Sequence, residues 1–129
     1  MLYIEIADTP YTLAQGLMFR KKLAEDNGML FKFSNPNVLK FWGLNTYLPL
    51  DVAFISEDNK IVKIDYIKPL STKTVSSDVD CVMAIEANAG YFSSHGIKVG
   101  DTIEVNKEDD EDIIYFGDHK KYTLKDVFS

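Results

Sequence analysis

A single cysteine, Cys81, excludes an intrachain disulfide and any cysteine-based zinc knuckle. No glycine-rich phosphate loop is present, in either the dinucleotide or the P-loop pattern, and no serine stands in G-x-S-x-G. H-x-H and H-E-x-x-H are also missing; the two histidines, His95 and His119, lie beside glycines in expected turns. These absences point to no cofactor and no metal. No run approaches the roughly twenty apolar residues of a membrane-spanning helix. The opening Met-Leu-Tyr-Ile-Glu-Ile has neither a basic start nor a long apolar stretch, so it does not read as a signal peptide. The chain as given reads as cytoplasmic, with a mature exported form or a viral origin as alternatives. No basic stripe is present either. Arg20-Lys21-Lys22 and Lys120-Lys121 are the only adjacent cations, which argues against nucleic-acid binding and against anionic membrane surfaces.

What is present is 129 residues of ordinary globular composition with a net charge of −6, enough for one domain. The charge is uneven. Residues 1–100 hold eleven acids and ten bases, whereas residues 101–129 hold nine acids and four bases. Five consecutive acids, Glu108 to Asp112, account for much of the difference. They lack the alternating oxygen ligands and central glycine of a calcium loop and read as a solvated segment.

Short apolar runs alternate with turn signals along the chain. Leu2, Ile4 and Ile6 alternate in a first strand. Thr9-Pro10 reads as an N-cap with proline at the first helical position, opening a short helix over residues 10–19. Strands are expected over Met29 to Phe33 and, beyond the Asn35-Pro36-Asn37 break, over Val38 to Trp42. Val52–Ile55 and Ile61–Ile64 read as a hairpin about Glu57 to Lys60. A polar loop over 69–78 precedes a strand at Val82 to Ile85, where Cys81 is expected to be a buried, inert thiol. Asn88 is expected to cap a helical turn closed by Gly96 in a left-handed conformation. Strands follow at Ile103–Val105 and Ile113–Phe116, then a turn at 117–120 and a last helical turn at 124–128. Many short strands with two or three short helices imply a mainly β fold, a compact sandwich or barrel-like single domain.

The segment Phe41-Trp42-Gly43-Leu44-Asn45-Thr46-Tyr47-Leu48-Pro49-Leu50-Asp51 concentrates an indole, an amide, a hydroxyl and a carboxylate. Glu86-Ala87-Asn88-Ala89-Gly90 adds a second carboxylate and amide. Together with Gly16-Leu17-Met18-Phe19-Arg20, Gly28-Met29-Leu30-Phe31-Lys32-Phe33 and Gly96-Ile97-Lys98-Val99-Gly100-Asp101, these ordered motifs resemble the family called domain of unknown function 192, over residues 3–105. The resemblance implies a compact β-sandwich-like core over 1–105, with 106–129 as an acidic extension packed on the same domain. It supplies no established reaction. The family pattern often reads F-W-M-K-N-T where this chain has Phe41-Trp42-Gly43-Leu44-Asn45-Thr46, so one cation is lost near the expected site.

Trp42, Asn45, Thr46, Tyr47, Asp51, Glu86, Asn88 and Arg20 are the candidate site residues. Arg20 is suited to a bidentate pair with Asp51 or Glu86, and the amides to satisfying loop backbone groups. In that case the constellation only holds the fold. The same groups are also suited to lining one pocket, with Trp42 and Tyr47 as a stacking platform and the rest as polar contacts. The reading favoured on sequence is a non-catalytic binding or interaction domain for a small polar ligand, such as a sugar, or for a protein partner. The alternatives are a hydrolase using Asp51 and Glu86, which needs the two carboxyls about 5–9.5 Å apart across a cleft, and a structural component of a complex or virion.

Overall fold

The computed structural model describes residues 1–117. Seven strands and two short helices follow one another as β1 (Leu2–Ala7), α1 (Pro10–Gln15), β2 (Asn27–Phe41), β3 (Leu50–Ile55), β4 (Ile61–Ile67), β5 (Val75–Asn88), α2 (Tyr91–Ser94), β6 (Ile103–Glu108) and β7 (Glu111–Phe116). All seven strands join one sheet in the order β4-β3-β5-β2-β1-β7-β6. β1 and β2 are parallel, with α1 in the crossover between them; the other neighbours are antiparallel. The sheet curls into a half-barrel. Its two edges meet at one end, where Lys60 bridges Thr102 and the Ile61 N–H donates to the Asp101 carbonyl at 2.9 Å. The fold is thus the expected mainly β single domain.

Alternation within the strands gives the sheet two apolar faces. One carries Leu30, Ala53, Ile55, Ile85, Ala87 and Ile114 and is covered by Tyr91, Phe92 and Ile97. The other carries Met29, Phe31, Val52, Phe54 and Ala84 and is covered by Leu17 and Leu48, with Leu13 and Leu23 packed against them. Cys81 is fully buried on this second face, and burial pushes its thiol pKa up, as expected of an inert cysteine.

The first helix starts as the sequence predicts. The Thr12 N–H donates to Thr9 Oγ1 at 3.1 Å and the Thr9 N–H to Thr12 Oγ1 at 3.0 Å, a reciprocal cap. It ends earlier than residue 19, at Gly16, whose φ of 50° and ψ of −129° are open only to glycine at low cost.

Three other expectations change. The two strands predicted on either side of Asn35-Pro36-Asn37 are one strand, β2, with a register shift against β5 between Lys32 and Asn37. A bulge tolerates proline because no ladder N–H is required there. The polar loop expected over 69–78 gives way at Val75 to β5, which pairs with Phe41. Asn88 does not cap α2. It is the last residue of β5, and the N-cap position belongs to Gly90 in the left-handed region. Gly96 takes the expected left-handed conformation, with φ of 68°.

β7 lies between β1 and β6. Residues 111–116 therefore complete the sheet. The turn expected at 117–120, His119 with it, and the helical turn expected at 124–128 lie outside the described residues, apart from Gly117.

Candidate functional site

Three segments converge on the second face of the sheet: the end of α1 with the turn after it, the middle and end of β2, and the loop over 42–46. Between them lies an open cleft of about 220 Å³. Leu13 to Met18 form one wall, and Lys40, Phe41, Trp42 and Thr46 the other, with Phe31, Phe33 and Glu86 between. Gly16 makes the close approach. A Cβ there would sit 3.1 Å from the Phe31 ring and 4.0 Å from Glu86 Oε1. The Phe31 and Phe41 rings meet edge to face at 4.9 Å between centroids, which fixes the aromatic base.

Glu86 comes from β5, opposite Met29 on one side and Val52 on the other. The residue is only 5% exposed. Among the described residues no hydrogen bond or ion pair reaches its carboxyl, and burial alone raises its pKa to about 8. No fully enclosed side-chain nitrogen or oxygen among the described residues lacks a partner. The Glu86 oxygens therefore reach the open space of the cleft. Trp42 is 44% exposed at its rim. Thr46 is buried, and its hydroxyl donates to the Leu44 carbonyl at 3.1 Å.

Of the candidate residues, the fold brings Trp42, Thr46 and Glu86 together and sends the others elsewhere. Asn45 is exposed in the left-handed region, and its carbonyl accepts the Phe19 N–H at 2.8 Å. Tyr47 is half exposed and not part of the cleft lining. Asn88 Nδ2 donates to the Leu23 and Ala24 carbonyls at 2.9 and 3.2 Å, tying down the loop before β2. Arg20 pairs with neither Asp51 nor Glu86. Its guanidinium forks onto both oxygens of Glu5, and that hydrogen-bonded pairing holds the Glu5 carboxyl below its ordinary pKa. Both partners are substantially exposed, so the pair contributes little stability.

The position of Asp51 removes the paired-carboxylate reading. Asp51 stands opposite Ala87, and Val52 opposite Glu86. Directly opposed residues share a face, and successive residues alternate. The two carboxyls consequently point to opposite faces of the sheet. Asp51 Oδ2 instead accepts the Gly90 N–H at 2.8 Å and anchors the turn into α2. Asp51→Ala is expected to cost about 1 kcal/mol by removing a charged acceptor from an exposed turn N–H that water then takes over, and to leave the cleft unaltered. Urea denaturation alongside Trp42 fluorescence checks both halves of the prediction.

Sequence reasoning missed Phe33, Phe41 and Lys40 as cleft lining, because their faces depend on the β2 bulge. Among the described residues no group of three or more histidine, cysteine or acidic side chains is placed to hold a metal, and no helix is long and apolar enough to cross a membrane.

Comparison with known proteins adds family and fold. The family model of DUF192, Uncharacterized ACR, matches residues 1–105. A crystal structure described as a "putative transcription regulator" from Sinorhizobium meliloti 1021 is similar at 38% identity and a TM-score of 0.78, covering 80% of this chain and 81% of that one. A protein of unknown function from Novosphingobium aromaticivorans DSM 12444 is similar at 33% identity and a TM-score of 0.76, covering 78% of this chain and 73% of its own. No curated protein matches.

Proposed function

The chain belongs to the DUF192 family, and from that premise we propose that it is a non-catalytic binding domain whose cleft takes a small polar ligand. The family is uncharacterised, so the reading rests on the site. The observation that carries it is Glu86, a buried carboxyl with no protein partner among the described residues, facing open space beside a half-exposed indole. The carboxyl opens only onto the cleft, so a ligand seated there can hydrogen-bond it where no protein group does. The cleft is smaller than the roughly 300–1,000 Å³ of drug-sized sites, which favours a compact molecule. The separation of Asp51 from Glu86 argues against the hydrolase alternative. The regulator description of one relative is compatible with ligand sensing. The few adjacent basic residues and the net charge of −6 argue against direct contact with DNA.

Trp42 is the single tryptophan, so intrinsic fluorescence reports on the cleft directly. Titration with a panel of sugars, amines, amides and small acids is expected to yield at least one class that shifts the emission and raises Tm. At a hundredfold excess over Kd the stabilisation would be about 2.7 kcal/mol. A broad panel that moves neither emission nor Tm would sink the ligand-binding reading.

A further inference from the structure

We propose that the ligand class is a small organic cation, an ammonium group on a short carbon skeleton, seated with its charged head on Glu86 and its body among Phe33, Phe41 and Trp42. The inference rests on the ligand-binding reading and goes further by naming the chemistry. A carboxyl only 5% exposed and without a donor of its own asks the ligand for hydrogen-bond donors and, once ionised, for positive charge. Leu13, Met18, Phe33, Phe41 and the indole flank it, and Gln15, Lys40 and Thr46 are the other polar side chains of the lining. A sugar distributes many hydroxyls, but the buried polar residues of the lining are Thr46 and Glu86, and the Thr46 hydroxyl already donates to Leu44. A compact cation needs one strong partner and apolar or aromatic walls, and aromatic faces attract ammonium groups.

Lys40, the basic residue of the lining, is exposed, and no ion pair joins it to Glu86. The protein therefore leaves the carboxyl's countercharge to be supplied from outside. Burial favours the protonated Glu86 carboxyl at neutral pH. An arriving cation favours the carboxylate, and the Glu86 proton passes to buffer as the ammonium takes its place.

Isothermal titration at pH 7 with n-butylammonium, ethanolamine and choline, against n-butanol and glucose, tests the assignment. At least one cation is expected to bind ten or more times tighter than butanol. Comparing phosphate with MOPS buffer should show net proton release approaching one per site. Glu86→Gln should weaken the cation at least tenfold, while Asp51→Ala should bind it as the wild type does. Cations binding no better than butanol, or without proton release, would overturn the proposal. A neutral sugar bound in a Glu86-dependent way without proton release would overturn it too, but would leave the ligand-binding reading standing. Silence from every probe, in heat and in Trp42 fluorescence, would count against both. The cation–butanol ratio and the proton count come from the wild-type protein and do not depend on how any variant folds.

Discussion

Glu86→Gln is expected to flatten the pH dependence of stability between pH 5 and 8 and to make the protein more stable at the upper end. The sign follows from the direction of the shift. Burial raises the folded-state pKa to about 8 from an ordinary value of 4.5. Below about pH 4.5 the group is protonated in folded and unfolded chains alike, and no penalty arises. As pH rises, the unfolded chain loses this proton while the folded one retains it, so stability falls until pH passes about 8. Each unit of separation is worth about 1.4 kcal/mol, so the deficit at pH 7 is ~3 kcal/mol. That is a large share of the 5–15 kcal/mol typical of a domain. Glutamine has nearly the same shape and no charge to bury. It removes the titration, and the amide is about as polar as the protonated acid, so its gain is expected to follow that deficit: about 3 kcal/mol or more at pH 7 to 8 and much smaller at pH 5. Urea titrations of both proteins at pH 5, 6, 7 and 8 provide the comparison. Parallel pH profiles would mean that Glu86 ionises freely in the folded state, and that its burial has no titration consequence.

Gly43→Ala is expected to be the most damaging small substitution near the cleft. A Cβ at this position would lie 2.0 Å from the Lys68 carbonyl oxygen and 3.1 Å from the Ser71 nitrogen. Both are backbone atoms, so no side chain can swing aside. The two segments are also tied together. The Gly43 N–H donates to the Ser71 carbonyl at 2.8 Å, the Thr46 N–H to the Gly43 carbonyl at 3.0 Å, and the Leu70 N–H to the Thr46 carbonyl at 3.0 Å. Making room for a methyl breaks at least one of these bonds and shifts Trp42. The expected loss is about 3 kcal/mol or more, combining overpacking with a lost hydrogen bond. It should be seen as a lower urea midpoint at unchanged m-value, with a changed Trp42 emission maximum. Placing the family's methionine and lysine at 43 and 44 is expected to fail for the same reason unless the 68–71 loop is also rebuilt. A stability within 1 kcal/mol of wild type would show that the loop yields cheaply.

Gly43 illustrates what could be read in advance and what could not. Its departure from the family pattern is visible in the sequence, but the carbonyl that makes glycine necessary is twenty-five residues away. The same distinction runs through the site. Trp42, Thr46 and Glu86 stand in recognisable motifs and do border the cleft. Arg20 stands in an equally recognisable motif, yet its partner Glu5 lies on the first strand and was not among the expected ones.

Local physics determined the mainly β character, the alternation that gives each strand its two faces, the Thr9 cap of α1, the left-handed Gly96 and the inert burial of Cys81. These follow from neighbours a few residues apart, and one chain suffices to read them. Only the tertiary structure decided that β2 runs through Pro36, that β1 and β2 lie parallel, and that Asp51 and Glu86 face away from each other. The reason is register. Alternation within a strand is local, but which residue stands opposite which across strands is set by long-range packing, and a slip of one residue exchanges the two faces. Two carboxylates that look like a pair on paper are thereby divided, one holding a turn and the other left facing a cleft.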